Sequence, residues 1–229
     1  IMHHKIPLMM QEMYKNRFYI FLATQIAILF GSLFFPVKLF EVTIQPVLLM
    51  LNIGAGILLI SSNKRLTWFF IILFAASAVV FGSVMLTRTH QDTFFLRLPI
   101  YFIFYTVVTF NIIRQVWWAN FVNQNVVMGL ISGYISLGLL GFFLFMSIEL
   151  AHPGAFQGNL LDSDQLEIRT DAMMYYAYIT LLTIGYGEIV PVVPVAQKAA
   201  ILVGLIGQFY MVIITAVVIG KYIRHSKRE

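Results

Sequence analysis

The sequence predicts an all-α membrane protein with six transmembrane helices in each subunit. Three observations carry that class. Of 229 residues, 60% are hydrophobic and 11% charged, whereas a soluble domain carries about 25% charged residues. Stretches 18–35, 42–61, 66–86, 98–118, 127–150 and 195–223 each approach or exceed the ~20 mainly apolar residues a crossing helix needs. Lys and Arg also fall on alternate sides of these stretches, as the positive-inside rule requires.

The composition excludes as much as it suggests. So much apolar surface cannot be hidden inside a water-soluble globule of this size, which argues against a soluble enzyme, a disordered tail and a nucleic-acid binder. There is no cysteine, so no disulfide, thiolate metal site or thiol nucleophile exists. Segment 1–17 carries Lys5, Lys15 and Arg17 and lacks the apolar core of a signal peptide. It opens on Ile1, which leaves a preceding segment open, and His3 with His4 reads equally as a tag or as metal ligands. Lys64 and Arg65 follow the second stretch, Arg114 ends the fourth, and Lys221, Arg224, Lys227 and Arg228 close the chain. The opposite side holds Glu149, Asp162, Asp164, Glu167, Asp171 and Glu188. Both termini are therefore expected in the cytoplasm of a multi-pass plasma or inner membrane protein. The net charge of +5 becomes an orientation signal and not a nucleic-acid site. Trp68, Trp117 and Trp118 fall near stretch ends, where amphipathic rings sit.

Stretches 18–118 form a front domain, 119–126 a linker and 127–223 a second domain, with 224–229 as the tail. The second domain begins with an outer helix over 127–150, in which Gly129 and Gly133 make a GxxxG pair suited to close helix packing. A polar loop over 151–170 leads to DAMMYYAYITLLTIGYGEIVP. Asp171 is a candidate N-cap for a helix over 171–182. From Ala172 to Leu182 it is about 16 Å long at 1.5 Å per residue, half a membrane. The chain must then turn back through Thr183, Ile184, Gly185, Tyr186 and Gly187 to reach 195–223. Irregular backbone at membrane depth survives only where protein buries it or a wet cavity receives it. The pattern is a re-entrant loop.

At this point the residues resemble the tetrameric potassium-channel family. TIGYG at 183–187 matches its selectivity-filter signature, and the likeness covers about 127–223. The resemblance implies a homotetramer in a lipid bilayer with K+ ions in the filter and no other cofactor. The carbonyls of Thr183, Ile184, Gly185 and Tyr186 and the Thr183 hydroxyl are its implied ion ligands, with Gly187 completing the filter. Inward carbonyls need left-handed angles at alternating positions, which Gly185 and Gly187 adopt cheaply.

The resemblance also implies an outer-mouth role for Glu188, where relatives more often have Asp, supported by Tyr175 and Tyr176. The alternative is a solvated acid beside packed tyrosines. Ile179 stands where some relatives carry a buried acid. Gly207 matches a hinge glycine, with close helix packing alongside Gly204 as the alternative. Gln208, Met211, Thr215 and Ile219 share a helical face. By resemblance they line the inner cavity, narrowed below by Ile219 and Ile223, against ordinary packing or lipid contact.

The front domain resembles a voltage-sensor domain without gating charges. A sensor needs about three or four positive charges inside the field, and the fourth stretch has Arg114 with Arg97 just before it. The second and third stretches lack Asp and Glu, and Asn52 is the strongly polar residue deep in the second. Asn120, Asn123, Gln124 and Asn125 read as an interfacial connector. No enzyme motif appears, and His90 with Asp92 or His152 with Ser163 offers no nucleophile geometry. The expected function is a potassium-selective channel that is not voltage-gated. A less selective cation pore and a non-conducting membrane scaffold are the alternatives. The tail KYIRHSKRE holds no cytoplasmic regulatory domain, which leaves an unseen regulatory domain or subunit open. His225 in it reads as a solvated residue.

Overall fold

The computed structural model describes residues 16–36, 39–60, 64–87, 90–119, 123–163 and 165–226. His3, His4, Lys5, Lys15, Asn120, Asp164, Lys227 and Arg228 lie outside the described residues, as do the side chains of His90, Asp92, Arg97, Glu167, Arg224 and His225.

The described chain is mostly helical. Helix α1 (Arg17–Phe30) continues into a 3-10 turn (Gly31–Leu33). A π turn (Phe40–Ile44) leads into α2 (Gln45–Ile60), followed by α3 (Lys64–Thr87), α4 (His90–Trp118) and α5 (Gln124–Ala151). Beyond these come β1 (Phe156–Gln157), α6 (Leu166–Leu181), β2 (Val190–Pro191) and α7 (Pro194–Phe209). A π turn (Tyr210–Ile214) and α8 (Thr215–Ser226) extend α7 into one inner rod. Val42–Ile60, Leu98–Trp118, Gln124–Ala151 and Pro194–Lys221 are long and apolar enough to cross a membrane.

Several boundaries move from their sequence expectation, each for a local reason. The first helix ends at Leu33, not at 35, because Pro36 has no amide hydrogen to continue the ladder. Helix α4 starts at His90 and runs through Pro99. Helix α5 starts at Gln124, not 127, because the Asn123 side chain caps it by accepting the Val126 amide at 3.1 Å. Asn123, Gln124 and Asn125 thus begin a helix and do not form a free connector. The outer loop is not wholly irregular either: β1 pairs antiparallel with β2, joining Phe156 to Pro191 and Gln157 to Val190.

Helix α5 is the post around which the rest is arranged. Its glycines form a stripe that receives bulky side chains from its neighbours. Gly129 faces Phe18 of α1 and Val116 of α4, and Gly133 faces Ile112 of α4. Gly138 is covered by the Tyr178 ring of α6, and Gly141 by Val203 of α7. Higher on α5, Phe143 stacks against both Tyr101 and Tyr105 of α4, each with ring centroids 5.5 Å apart.

A buried polar seam crosses the front domain and reaches α5. Gln25 of α1 donates its amide to the Ser136 hydroxyl at 2.6 Å. Asn52 of α2 donates to the Thr24 hydroxyl at 2.7 Å and accepts the Tyr105 hydroxyl at 2.8 Å. In hydrocarbon an unmet polar group is costly, so each partner restrains where the next helix can sit. Tyr105→Phe deletes one such bond without opening a cavity. It should lower unfolding stability in detergent by about 0.6 kcal/mol, and by no more than about 1.7 kcal/mol, as read by thermal or denaturant unfolding.

Candidate functional site

The re-entrant segment is built on α6. This helix spans Leu166–Leu181, 16 residues, or about 24 Å at 1.5 Å per residue. That is still short of a ~30 Å hydrocarbon core. It begins five residues before the expected start at 171, with Gln165 at the N-cap position and no side-chain cap. Asp171 therefore lies inside the helix, and its carboxyl pKa is raised by burial. The start is shifted because tertiary contacts hold the first turns in place of a local cap. Arg169 donates to Glu149 of α5 at 3.0 Å, and the Thr170 hydroxyl donates back to the Leu166 carbonyl at 2.8 Å.

Glu149 organises the outer face, a role the sequence did not mark beyond its charge. Its carboxylate is buried at the end of α5. It accepts the Gly154 amide at 2.9 Å and the Phe156 amide at 3.1 Å as well as Arg169. One side chain thus fixes the start of the outer loop and the start of α6. The loop then holds the segment that follows Gly187. Besides the β1–β2 pairing, the Val192 amide donates to the Ala155 carbonyl at 2.9 Å. Gly158 packs so closely on the Glu188 carbonyl that a Cβ there would overlap it.

Deeper, α6 is tied to α5 by the Tyr178 hydroxyl, which donates to the Ile135 carbonyl at 2.7 Å. Tyr176 is buried among Phe145 and Phe156, with ring centroids at 5.1 and 5.4 Å. It anchors the helix. The bond to Glu188 comes from Tyr175, whose hydroxyl donates to the Glu188 carboxylate at 3.1 Å.

After Leu182 the backbone changes character. Thr183, Gly185 and Gly187 have φ of 58°, 59° and 96°. Left-handed residues thus alternate with Ile184 and Tyr186, the alternation expected of a filter with inward carbonyls. The glycines adopt this without side-chain strain. Thr183 is the third left-handed position, and no residue preference announced it. The turn is held by α6 itself: the Ile179 carbonyl accepts the Ile184 amide at 2.9 Å and the Gly185 amide at 3.3 Å, while the Thr183 amide donates to Thr180 at 3.0 Å. Ile179 contributes its backbone here. The carbonyl-rich C-terminal end of α6 carries partial negative charge toward this segment, which favours a cation. Within one chain Ile184 and Tyr186 are exposed, and nothing lies within 4 Å of where a Cβ on Gly185 or Gly187 would be.

The inner rod lies behind. Gly207 packs on the backbone of Leu181, so closely that a Cβ would overlap the Leu181 carbonyl oxygen. Close approach alone accounts for a glycine at this position, and the irregular backbone comes later, at Tyr210–Ile214. Gly204 lies on the same side, with the Thr180 carbonyl 3.7 Å from its Cβ position. Gln208, Met211, Ile219 and Ile223 are exposed in the single chain and Thr215 is half-buried. The buried side of the rod is Val203, Gly207, Tyr210, Ile214 and Val218. Arg114 of α4 is exposed, and His152 and Ser163 lie in the loop after α5 without a nucleophile arrangement.

Among the described residues no group of three His, Cys, Asp or Glu side chains could hold a metal. The binding groups on offer are backbone carbonyls, the donors that hard monovalent and divalent cations accept in place of water.

Residues 165–224 match a family model described as an ion channel. No curated protein and no solved structure matches the chain. The matched segment runs from the start of α6 to α8, the region with the re-entrant helix, the alternating backbone and the inner rod. The match agrees with the potassium-channel resemblance. With the apolar helices, it suggests a membrane-embedded, channel-type protein.

Two substitutions check this geometry. Glu149→Leu leaves two amides and Arg169 without their acceptor and should cost about 1–3 kcal/mol of stability, measured as a lowered unfolding midpoint. Gly207→Ala pushes the rod off Leu181 and should cost about 1–3 kcal/mol as an overpacked contact, whereas Gly220→Ala, with open space at its Cβ position, should be near neutral by the same measurement.

Proposed function

We propose that the protein is a potassium-selective channel that conducts K+ passively through a homotetrameric pore. The observation that carries this reading is the left-handed backbone at Thr183, Gly185 and Gly187, at the end of a helix too short to cross. In the proposed pore the carbonyls of Thr183, Ile184, Gly185 and Tyr186 and the Thr183 hydroxyl replace the water around a K+ ion. One chain supplies a quarter of each ligand ring, so four copies around an axis complete it. The exposure of Ile184, Tyr186 and Leu182 in one chain supports burial by neighbouring subunits.

In this reading six segments cross a plasma or inner membrane with both termini cytoplasmic. Residues 18–118 form the front domain and 127–223 the pore domain. Glu188, held by Tyr175, attracts cations at the outer mouth while Tyr176 supports the pore helix. The exposed face of Gln208, Met211, Thr215, Ile219 and Ile223 lines the inner cavity, and the lower isoleucines close it by dewetting. Gly207 gives the rod its place against the pore helix. The front domain lacks a charge series, which supports gating that is not by voltage.

Purified protein in liposomes should pass K+ and Rb+ and little Na+. Comparable Na+ flux would instead indicate a less selective cation pore, and no flux a non-conducting scaffold. Gly185→Asp puts a side chain where bare backbone is needed and should abolish selective flux; retained selectivity would sink the carbonyl-ring proposal. Conductance should stay flat from about −100 to +100 mV, a range worth ~2.3 kcal/mol per charge per 100 mV, and steep activation would overturn the assignment of the front domain.

A further inference from the structure

The inner rod is tied to the rest of the chain at two heights. At the upper tie the Tyr210 hydroxyl donates to the Leu130 carbonyl of α5 at 2.6 Å, and its ring stands against Tyr134 with centroids 5.5 Å apart. At the lower tie Lys221 of α8 reaches the front domain. Its ammonium donates to the Ala119 carbonyl at 2.9 Å and to the Trp117 carbonyl. Both acceptors lie at the C-terminal end of α4. The last carbonyls of a helix have no intrahelical donor and carry the negative end of its dipole. A lysine ammonium has three donors on a flexible stem, so one side chain can serve two such carbonyls.

Between the ties lies the π turn at Tyr210–Ile214, where the α-helical ladder is interrupted and a helix bends most readily. Below it, Ile219 and Ile223 bracket Lys221 and are exposed on the rod. A contact at Lys221 therefore sets where the proposed lower constriction sits, while the upper half stays fixed on α5.

We propose that Lys221 is a positioning residue that anchors the lower end of the inner rod to its own front domain by capping α4. The inference rests on the channel reading above. The front domain packs on α5, away from the exposed Gln208, Met211 and Ile219 face. The anchor therefore draws the lower isoleucines away from the proposed axis and favours the conducting state. This gives a front domain that lacks an arginine series a direct grip on the pore.

Single-channel recording of the full chain in planar bilayers, with K+ alone and with K+ against Na+, tests the consequence. Lys221→Met keeps the length and removes charge and donors. It should lower the open-to-closed ratio by roughly two- to fivefold, the range of a cation at a helix C-terminus, and leave ion preference unchanged. Lys221→Arg should restore it. An unchanged or raised open probability, or a Met effect that Arg does not rescue, overturns the inference. A second measurement needs no current. The chain has no native cysteine, so a spin label on Ile223→Cys reports the rod end alone. Adding Lys221→Met should raise label mobility and Lys221→Arg should not; equal mobility in all three overturns the anchor. A wild type that carries no current but keeps the Lys221-dependent label immobility would sink the channel reading and retain the anchor.

Discussion

Irregular backbone at membrane depth survives only where protein or a wet cavity meets its polar groups, and most of this structure can be understood as meeting that one demand. Helix α6 ends before it could cross, and the next residues depart from any regular pattern. The Ile179 carbonyl accepts two amides, from Ile184 and Gly185, and Thr180 accepts that of Thr183. The amides that cross this turn are thereby consumed by the helix. The amides of Thr183, Ile184 and Gly185 thus point back into the helix, and the carbonyls of the same stretch are the groups that the channel reading gives to an ion.

Such a segment is only as fixed as its two ends, and both lead back to α5. On one side Tyr178 and Arg169 tie α6 to Ile135 and Glu149. On the other, β2 and Val192 are paired with the outer loop, whose start hangs on the same Glu149 carboxylate. A buried carboxylate in apolar surroundings is expensive unless charge and hydrogen bonds meet it. Here an arginine and two amides do so. The cost of burying it becomes a constraint that links outer helix, loop, short helix and return strand. A solvated acid could not do this, because water would compete for each bond.

The sequence was legible where a residue type had a narrow range of physical uses. Apolar length marked four helices that are long enough to cross among the described residues, and length with two glycines marked the turn after α6. It was less legible where one contact replaced another. Asp171 has the chemistry of an N-cap, yet α6 starts earlier because the Arg169–Glu149 pair stabilises turns that capping rules leave out. Asn123 does cap a helix, but its neighbours resembled a polar linker because capping residues and loop residues are the same types. Tyr175 and Tyr176 are adjacent and indistinguishable in composition. Only the helix direction sends one to Glu188 and the other into the Phe145–Phe156 cluster. Thr183 at positive φ and the π turn at Tyr210 carry no preference signal at all.

The front domain follows from the same bilayer constraint with a different solution. Where a charge-bearing sensor would place arginines and acids, the interior pairs among the described residues are neutral amides, hydroxyls and phenols: Gln25 with Ser136, Asn52 with Thr24 and Tyr105, and Ser77 beside Tyr101 at 3.3 Å. Neutral pairs of this kind are worth about 0.6 kcal/mol each, and a voltage drop does no work on them. Their directional bonds still fix rotation and depth, which dispersion between apolar helices does poorly. Gln25–Ser136 extends that fixation from the first helix to α5, and the stacking of Tyr101 and Tyr105 on Phe143 does so from the fourth. The front domain is thus registered against α5, the helix that also holds α6. A displacement of α4 would reach α6 and the inner rod through the α5 packing at one end and through Lys221 at the other.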